Sequence, residues 1–126
     1  MKKIILASVL TTVALSAMVD ANAAASGVVC AAPTSAGNGT ITVDTSATNE
    51  MVVNSFQPKC SANVHMVYDQ QKSYFRVGAV SSAGSRSFRG STAGGSVTSE
   101  ATCTGTSCNS GAAVSARDST NNPTSG

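Results

Sequence analysis

The chain has 126 residues, a formal net charge of +2 and four cysteines. It has no tryptophan, 4% of its residues are aromatic and 11% are charged. The length allows one small domain. The weak, nearly balanced charge excludes a nucleic-acid-binding protein, because holding a phosphate backbone requires clustered lysines and arginines.

The chain begins with the pattern of a bacterial-type export signal. Two lysines follow Met1, residues 4–19 are mostly apolar, and residues 21–23 (Ala-Asn-Ala) form a small-x-small cleavage motif. The apolar stretch has 16 residues, fewer than the roughly 20 that cross a bilayer. We therefore predict a signal peptide over 1–23, export to the cell surface or the extracellular space, with the periplasm as the alternative, and no membrane span after its removal.

After Ala23 the chain has no leucine and a single isoleucine, and serine, threonine and glycine make up 41 of 103 residues. Such a sequence disfavours helices and favours short strands. We predict an all-β fold without helices, a small disulfide-stapled antiparallel sandwich or partly open barrel over residues 24–110. Residues 111–126 contain Val114 as their only sizeable apolar side chain, which predicts a flexible polar tail.

The four cysteines predict two disulfides, because an even number in a short exported chain fits an oxidising compartment. Three pairings can be drawn. We favour Cys30 with Cys60 and Cys103 with Cys108, since residues 104–107 form one tight turn between the second pair. A metal site would need further ligands at suitable spacing, and the only histidine stands alone in an apolar run. No metal and no cofactor is expected.

Strand-like runs follow one another after an irregular lead over 24–38. They are residues 40–43, 51–56, 63–68, 73–80, 85–89 and 96–103. The clearest unit is a hairpin in which 63–68 and 73–80 flank the polar turn 69–72. Alternation in its second arm places Phe75, Val77 and Ala79 on a core face, opposite Tyr74 and Arg76.

A second hairpin is predicted around Gly94-Gly95, a pair able to take positive backbone dihedrals. In its second arm Val97, Ser99, Ala101 and Cys103 would share an inward face.

Arg86, Phe88 and Arg89 form the one local cluster of basic and aromatic side chains. A solvated strand edge explains such a cluster. The alternative is a contact surface for an anionic ligand, so these three residues are the candidate surface contact.

Catalytic motifs are lacking in the sequence. No serine lies in a G-x-S-x-G or S-x-x-K motif that could act with His65, and the acidic residues are scattered singly. We therefore predict a protein that is not an enzyme.

The composition favours an exported, non-catalytic structural or adhesive protein of the cell surface, such as a fibre, pilus-like or biofilm-matrix subunit. Its partners would be copies of itself or other envelope proteins, because open sheet edges invite strand pairing. The chain is similar in class to chaperone-assembled pilins in size and β pattern, although its polar C-terminus lacks their apolar alternating end strand. The alternative is a monomeric periplasmic binding or enzyme-inhibitor module.

Overall fold

The described chain forms seven strands and, near its C-terminal end, one helix. The computed structural model describes residues 25–32, 36–42, 51–103, 105 and 107–125, so the predicted signal peptide lies outside the described residues. In chain order the elements are β1 (Ala25–Cys30), β2 (Gly37–Asn38), β3 (Lys59–Cys60), β4 (Val64–Gln70), β5 (Phe75–Ser81), β6 (Arg86–Ser91), β7 (Thr98–Thr102) and α1 (Ser110–Arg117).

Five of these strands form one antiparallel sheet in the order β1-β4-β5-β6-β7. β1 and β7 are its two edges, so the sheet is open and does not close into a barrel. β2 and β3 pair separately. The predicted antiparallel, disulfide-bonded β-rich fold is confirmed, and one open sheet takes the place of the predicted sandwich or partly open barrel.

The hairpin of β4 and β5 is the centre of the sheet. Its register places Tyr68 opposite Val77 and continues to Gln70 opposite Phe75. The first arm therefore ends two residues later than predicted, because residues 69–70 pair with β5 instead of turning. The turn closes where the Gln71 N–H donates to the Tyr74 carbonyl at 2.8 Å.

One face of the sheet carries the core predicted for this hairpin. A buried cluster lies there and consists of Val29, Cys30, Ile41 and Tyr68. Phe75 and Val77 are partly buried against it, and the Phe75 ring stacks on Tyr68 with centroids 5.8 Å apart. The predicted core face of β5 is therefore confirmed for these two residues.

The opposite face of the sheet is covered by α1, and the expectation that no helix would form was wrong. Ala113 and Ala116 are fully buried on this face, beside Val67 and Val80. A helix of eight residues is too short to be stable alone, so its packing on the sheet stabilises it. Seven of those residues, 111–117, fall within the segment predicted as a flexible tail.

The chain after α1 also contacts the sheet. Asn122 is buried, and its Nδ2 donates to the Arg117 carbonyl at 2.9 Å and to the Val77 carbonyl at 3.5 Å. The Ser91 hydroxyl donates to the Pro123 carbonyl. These contacts hold the end of the helix against β5 and β6.

Both predicted disulfides are present. Cys30 bonds Cys60 with Cα atoms 5.6 Å apart, and Cys103 bonds Cys108 with Cα atoms 5.3 Å apart. The first bridge joins β1 to β3, and the second joins the end of β7 to the start of α1.

The predicted turn between β6 and β7 is confirmed, with a φ of 145° at Gly94 and 83° at Gly95. Glycine is needed at both positions, because side chains disfavour that region of φ.

Three further expectations were wrong. Residues 25–30, assigned to an irregular lead, form β1 by pairing with β4. The predicted strands 40–43 and 51–56 meet only at an isolated bridge between Ile41 and Phe56 within the described residues. In β7, Ser99 and Ala101 were expected to face inward but are exposed. The preceding Val97 is also exposed. The bulge between β6 and β7 and the placement of α1 decide which side of that edge is covered.

Candidate functional site: a divided cluster, a polar cleft and two sheet edges

Strand alternation divides the candidate contact cluster of Arg86, Phe88 and Arg89. Arg86 and Phe88 lie two residues apart in β6 and are both exposed. Arg89 lies on the opposite face, where its guanidinium forms an ion pair with Glu100 and donates to the Asn121 carbonyl. Arg89 therefore ties the C-terminal segment to the sheet, and it does not share a surface with Phe88.

Phe88 and Val97 leave apolar surface exposed beside the β7 edge. Val97 is 72% exposed and Phe88 is 45% exposed. A Cβ added to Gly90 would lie 3.2 Å from Val97 Cγ2 and 3.7 Å from Val77 Cγ2. The bare backbone at Gly90 thus leaves room for both valine side chains on this face.

A cleft of about 510 Å³ lies between α1 and β7. Its walls combine polar side chains and apolar surface. The lining residues are Ser87, Glu100, Thr102, Asn109, Ser115, Ser119 and Thr120, together with Ala101, Cys103, Gly111, Ala112 and Ala116. The described lining contains no aromatic side chain on which a sugar ring could stack. Its chemistry suits weak contacts with a polar group through hydroxyls.

Glu100 is the one charged side chain of this lining, and its oxygens are already engaged. It accepts hydrogen bonds from the Ser119 hydroxyl, from Arg89 Nε, and from Asn121 Nδ2 at 3.4 Å. The bonds from Ser119 and Arg89 hold the pKa of Glu100 below its ordinary value of 4.5. An ionised carboxylate with these partners fastens the chain after α1, and it is a poor general acid or base.

Among the described lining residues, the Ser119 hydroxyl donates to Glu100, but the same carboxylate is also held by Arg89 and Asn121. The Ser87 hydroxyl is hydrogen-bonded to the backbone of Ala101 at 3.3 Å. His65, the only histidine, lies on β4 and accepts a hydrogen bond at Nδ1 from the Ala32 N–H at 3.2 Å. The structure does not bring a serine, His65 and a carboxylate together in this cleft.

The two sheet edges differ in chemistry. β1 (Ala-Ser-Gly-Val-Val-Cys) has no charged residue and no proline, and its Val28 is 62% exposed. β7 (Thr-Ser-Glu-Ala-Thr) carries Glu100, and its pairing with β6 is interrupted between Arg86 and Phe88. In the described part of the chain, no strand pairs with the outer side of either edge.

Sequence reasoning missed the β1 edge and the cleft, because both depend on elements that it did not predict. A signal for the helix was present. Asn109 is a favoured N-cap residue, and the small residues Ala112, Ala113 and Ala116 recur at helical spacing. For β1 no clear signal was available, because six small and apolar residues do not alternate.

Within the described ranges, no group of three or more histidine, cysteine or acidic side chains is placed to hold a metal ion. None of the helices described has the length and apolar character needed to cross a bilayer.

Comparisons of the chain with protein-family models, with curated proteins and with solved structures found no match.

Proposed function

We propose that this chain is an exported, non-catalytic structural or adhesive subunit of the bacterial cell surface, which acts by strand pairing at its open sheet edges. The observation that carries the proposal is the open five-stranded sheet whose edge strand β1 is uncharged. Soluble monomers usually protect such an edge with charges, prolines or a covering segment. An edge without these features suits assembly.

The two disulfides support export, because such bridges form and persist in oxidising compartments. They indicate a protein that works outside the cytoplasm. The export-signal pattern at the N-terminus supports the same destination.

The test is the oligomeric state of the disulfide-intact protein purified from the secreting cell. We expect size-exclusion chromatography with light scattering to show concentration-dependent association, and electron microscopy to find the protein in sheared extracellular material. Deletion of the gene that encodes this chain should weaken the attachment of the cells or the biofilm that they form. A strictly monomeric protein confined to the periplasm would contradict the proposal.

The polar cleft between α1 and β7 favours a second function, a monomeric periplasmic binding or inhibitor module. Hydroxyl groups of Thr102, Ser115 and Thr120 would contact a polar partner there. Recovery of the monomer in a stoichiometric complex with one envelope protein would support this function. Loss of that complex in a Ser115→Leu variant would place the contact in the cleft.

A further inference from the structure

We propose that the first part of β1, residues 25–28, pairs antiparallel with the same strand of a second copy of this chain. The inference rests on the proposed function and names its partner and its surface. Two five-stranded sheets would join edge to edge across a two-fold axis. The bonds would be main-chain hydrogen bonds between the outer sides of the two β1 strands.

Residues 25–28 form the regular part of the edge. Their register against β4 is uninterrupted, from Ala25 opposite Gln70 to Val28 opposite Val67, and the irregularity begins only after Val28. A regular edge presents its N–H and C=O groups in the spacing that another strand needs. β7 lacks this property, because its irregularity lies within the strand.

Beyond Val28, other parts of the chain lie close to β1. A Cβ added to Gly39 would lie 2.4 Å from the Val29 carbonyl oxygen, so the backbone just after β2 already lies close to β1 at that point. Cys60 Sγ lies 3.4 Å from the same oxygen. The open stretch is thus limited to four residues, about 13 Å at the usual rise of a strand.

The chemistry of this stretch favours a second copy as its partner. The residues are Ala, Ser, Gly and Val, so two identical strands meet without a charge on either side. At β7 the same pairing would bring two copies of Glu100 towards each other.

Antiparallel pairing is favoured over parallel pairing by the position of the mature N-terminus. Cleavage after Ala23 places the α-amino group one residue before β1. A parallel pair would bring two such positive charges side by side, whereas an antiparallel pair keeps them at opposite ends of the contact. A contact of this length is small compared with stable interfaces, so the association should be weak and concentration-dependent.

The test compares lysine pairs on the two edges of the disulfide-intact protein that begins at Ala24. Ser26→Lys with Val28→Lys adds charge at exposed positions of β1, and Ser99→Lys with Ala101→Lys adds the same charge at exposed positions of β7. We expect sedimentation velocity over a concentration series to show association weakened at least about tenfold by the β1 pair. The β7 pair should associate like the wild type.

High salt should partly restore association of the β1 variant, because screening weakens repulsion between the added charges. A purely structural defect would not respond in this way. A second measurement needs no variant: peptide-level hydrogen exchange of the wild type should show slower exchange in residues 25–28 at high than at low protein concentration. If the β1 variant fails to fold, this hydrogen-exchange measurement still tests whether β1 pairs between copies.

The outcomes separate this inference from the proposed function. A wild type that never associates contradicts both. If the wild type associates and the β1 lysine variant associates equally well, the pairing of β1 is contradicted. It is also contradicted if only the β7 lysine variant loses association. In both cases the surface-subunit proposal still stands.

Discussion

Gly78 determines how closely α1 approaches the sheet. A Cβ at this position would lie 2.0 Å from the Ala113 carbonyl oxygen and 2.6 Å from the Arg117 backbone nitrogen. Both atoms belong to the backbone of the helix, which cannot move aside as a side-chain tip can. The small side chains of Ala113 and Ala116 allow this close contact from the other side.

We therefore expect Gly78→Ala to shift or undock the helix and to destabilise the protein by roughly 1–3 kcal/mol or more. Urea unfolding measures the loss. Gly84→Ala is the control, because its Cβ would lie 3.3 Å from Ser81 Cβ and 3.4 Å from the Ser81 carbonyl oxygen, far less close than at Gly78, and should cost less. Equal stabilities of the two variants would mean that α1 does not pack on β5 as described.

Glu100 should make the attachment of the C-terminal segment sensitive to acid. Hydrogen bonds from Ser119 and Arg89 lower the pKa of Glu100 in the folded state. The ionised carboxylate therefore stabilises the folded protein above its ordinary pKa of 4.5. This contribution is lost as the pH falls through the lower folded-state pKa. The hydrogen bond from Arg117 also lowers the pKa of Asp118, so its contribution to stability is likewise lost on acidification.

The measurement is the free energy of unfolding from neutral to acidic pH, compared between the wild type and Glu100→Gln. We expect the variant to be less stable at neutral pH and to lose less stability on acidification, because it cannot be protonated at this site. Parallel pH profiles would show that Glu100 does not carry this contact.

Among the elements, the two disulfides constrain loops of different length. The sequence separations are 30 for Cys30–Cys60 and 5 for Cys103–Cys108. Loop-closure entropy then gives a stabilisation of about 3.5 kcal/mol for the first bridge and about 2 kcal/mol for the second. The second bridge also fastens Cys108, which is buried beside Ala113 at the start of α1.

We expect the Cys30→Ser/Cys60→Ser pair to lose more stability than the Cys103→Ser/Cys108→Ser pair. Thermal unfolding of the two double variants against the wild type measures the difference. A larger loss for the second pair would mean that holding the helix outweighs the entropy of the longer loop.

At the scale of the whole molecule, the site at which the predicted signal peptide is removed would decide whether β1 is complete. Cleavage after Ala23 leaves the strand whole. Cleavage after Ala25 would remove a residue that pairs with Gln70 and packs against the buried cluster of the first face. The fold therefore favours the earlier site.

We expect intact-mass measurement of the exported protein to give an N-terminus at Ala24. A species starting at Met1 in the cell envelope would contradict processing. A species starting at Ser26 would mean that β1 tolerates a shorter edge, and its association, measured beside the longer form, would show how much Ala25 contributes.

The sequence alone predicted the antiparallel hairpin of β4 and β5, the Gly94-Gly95 turn and both disulfide pairings. These features are local, because alternation, turn residues and cysteine spacing act over a few neighbouring positions. The core face of Phe75 and Val77 follows from the same alternation.

The tertiary structure alone decided the edge strand, the helix and the partner of Arg89. β1 lacks an alternating pattern and is a strand because β4 supplies its hydrogen-bond partners. α1 is too short to form alone, and it is stabilised by burying Ala113 and Ala116 on the sheet, where Gly78 allows the close approach of the helix backbone. Arg89 faces away from Phe88 because neighbouring residues of a strand alternate, and the tertiary structure decides that it meets Glu100 of the next strand. Such contacts join residues distant in sequence, so their free energy is realised only when the sheet has formed.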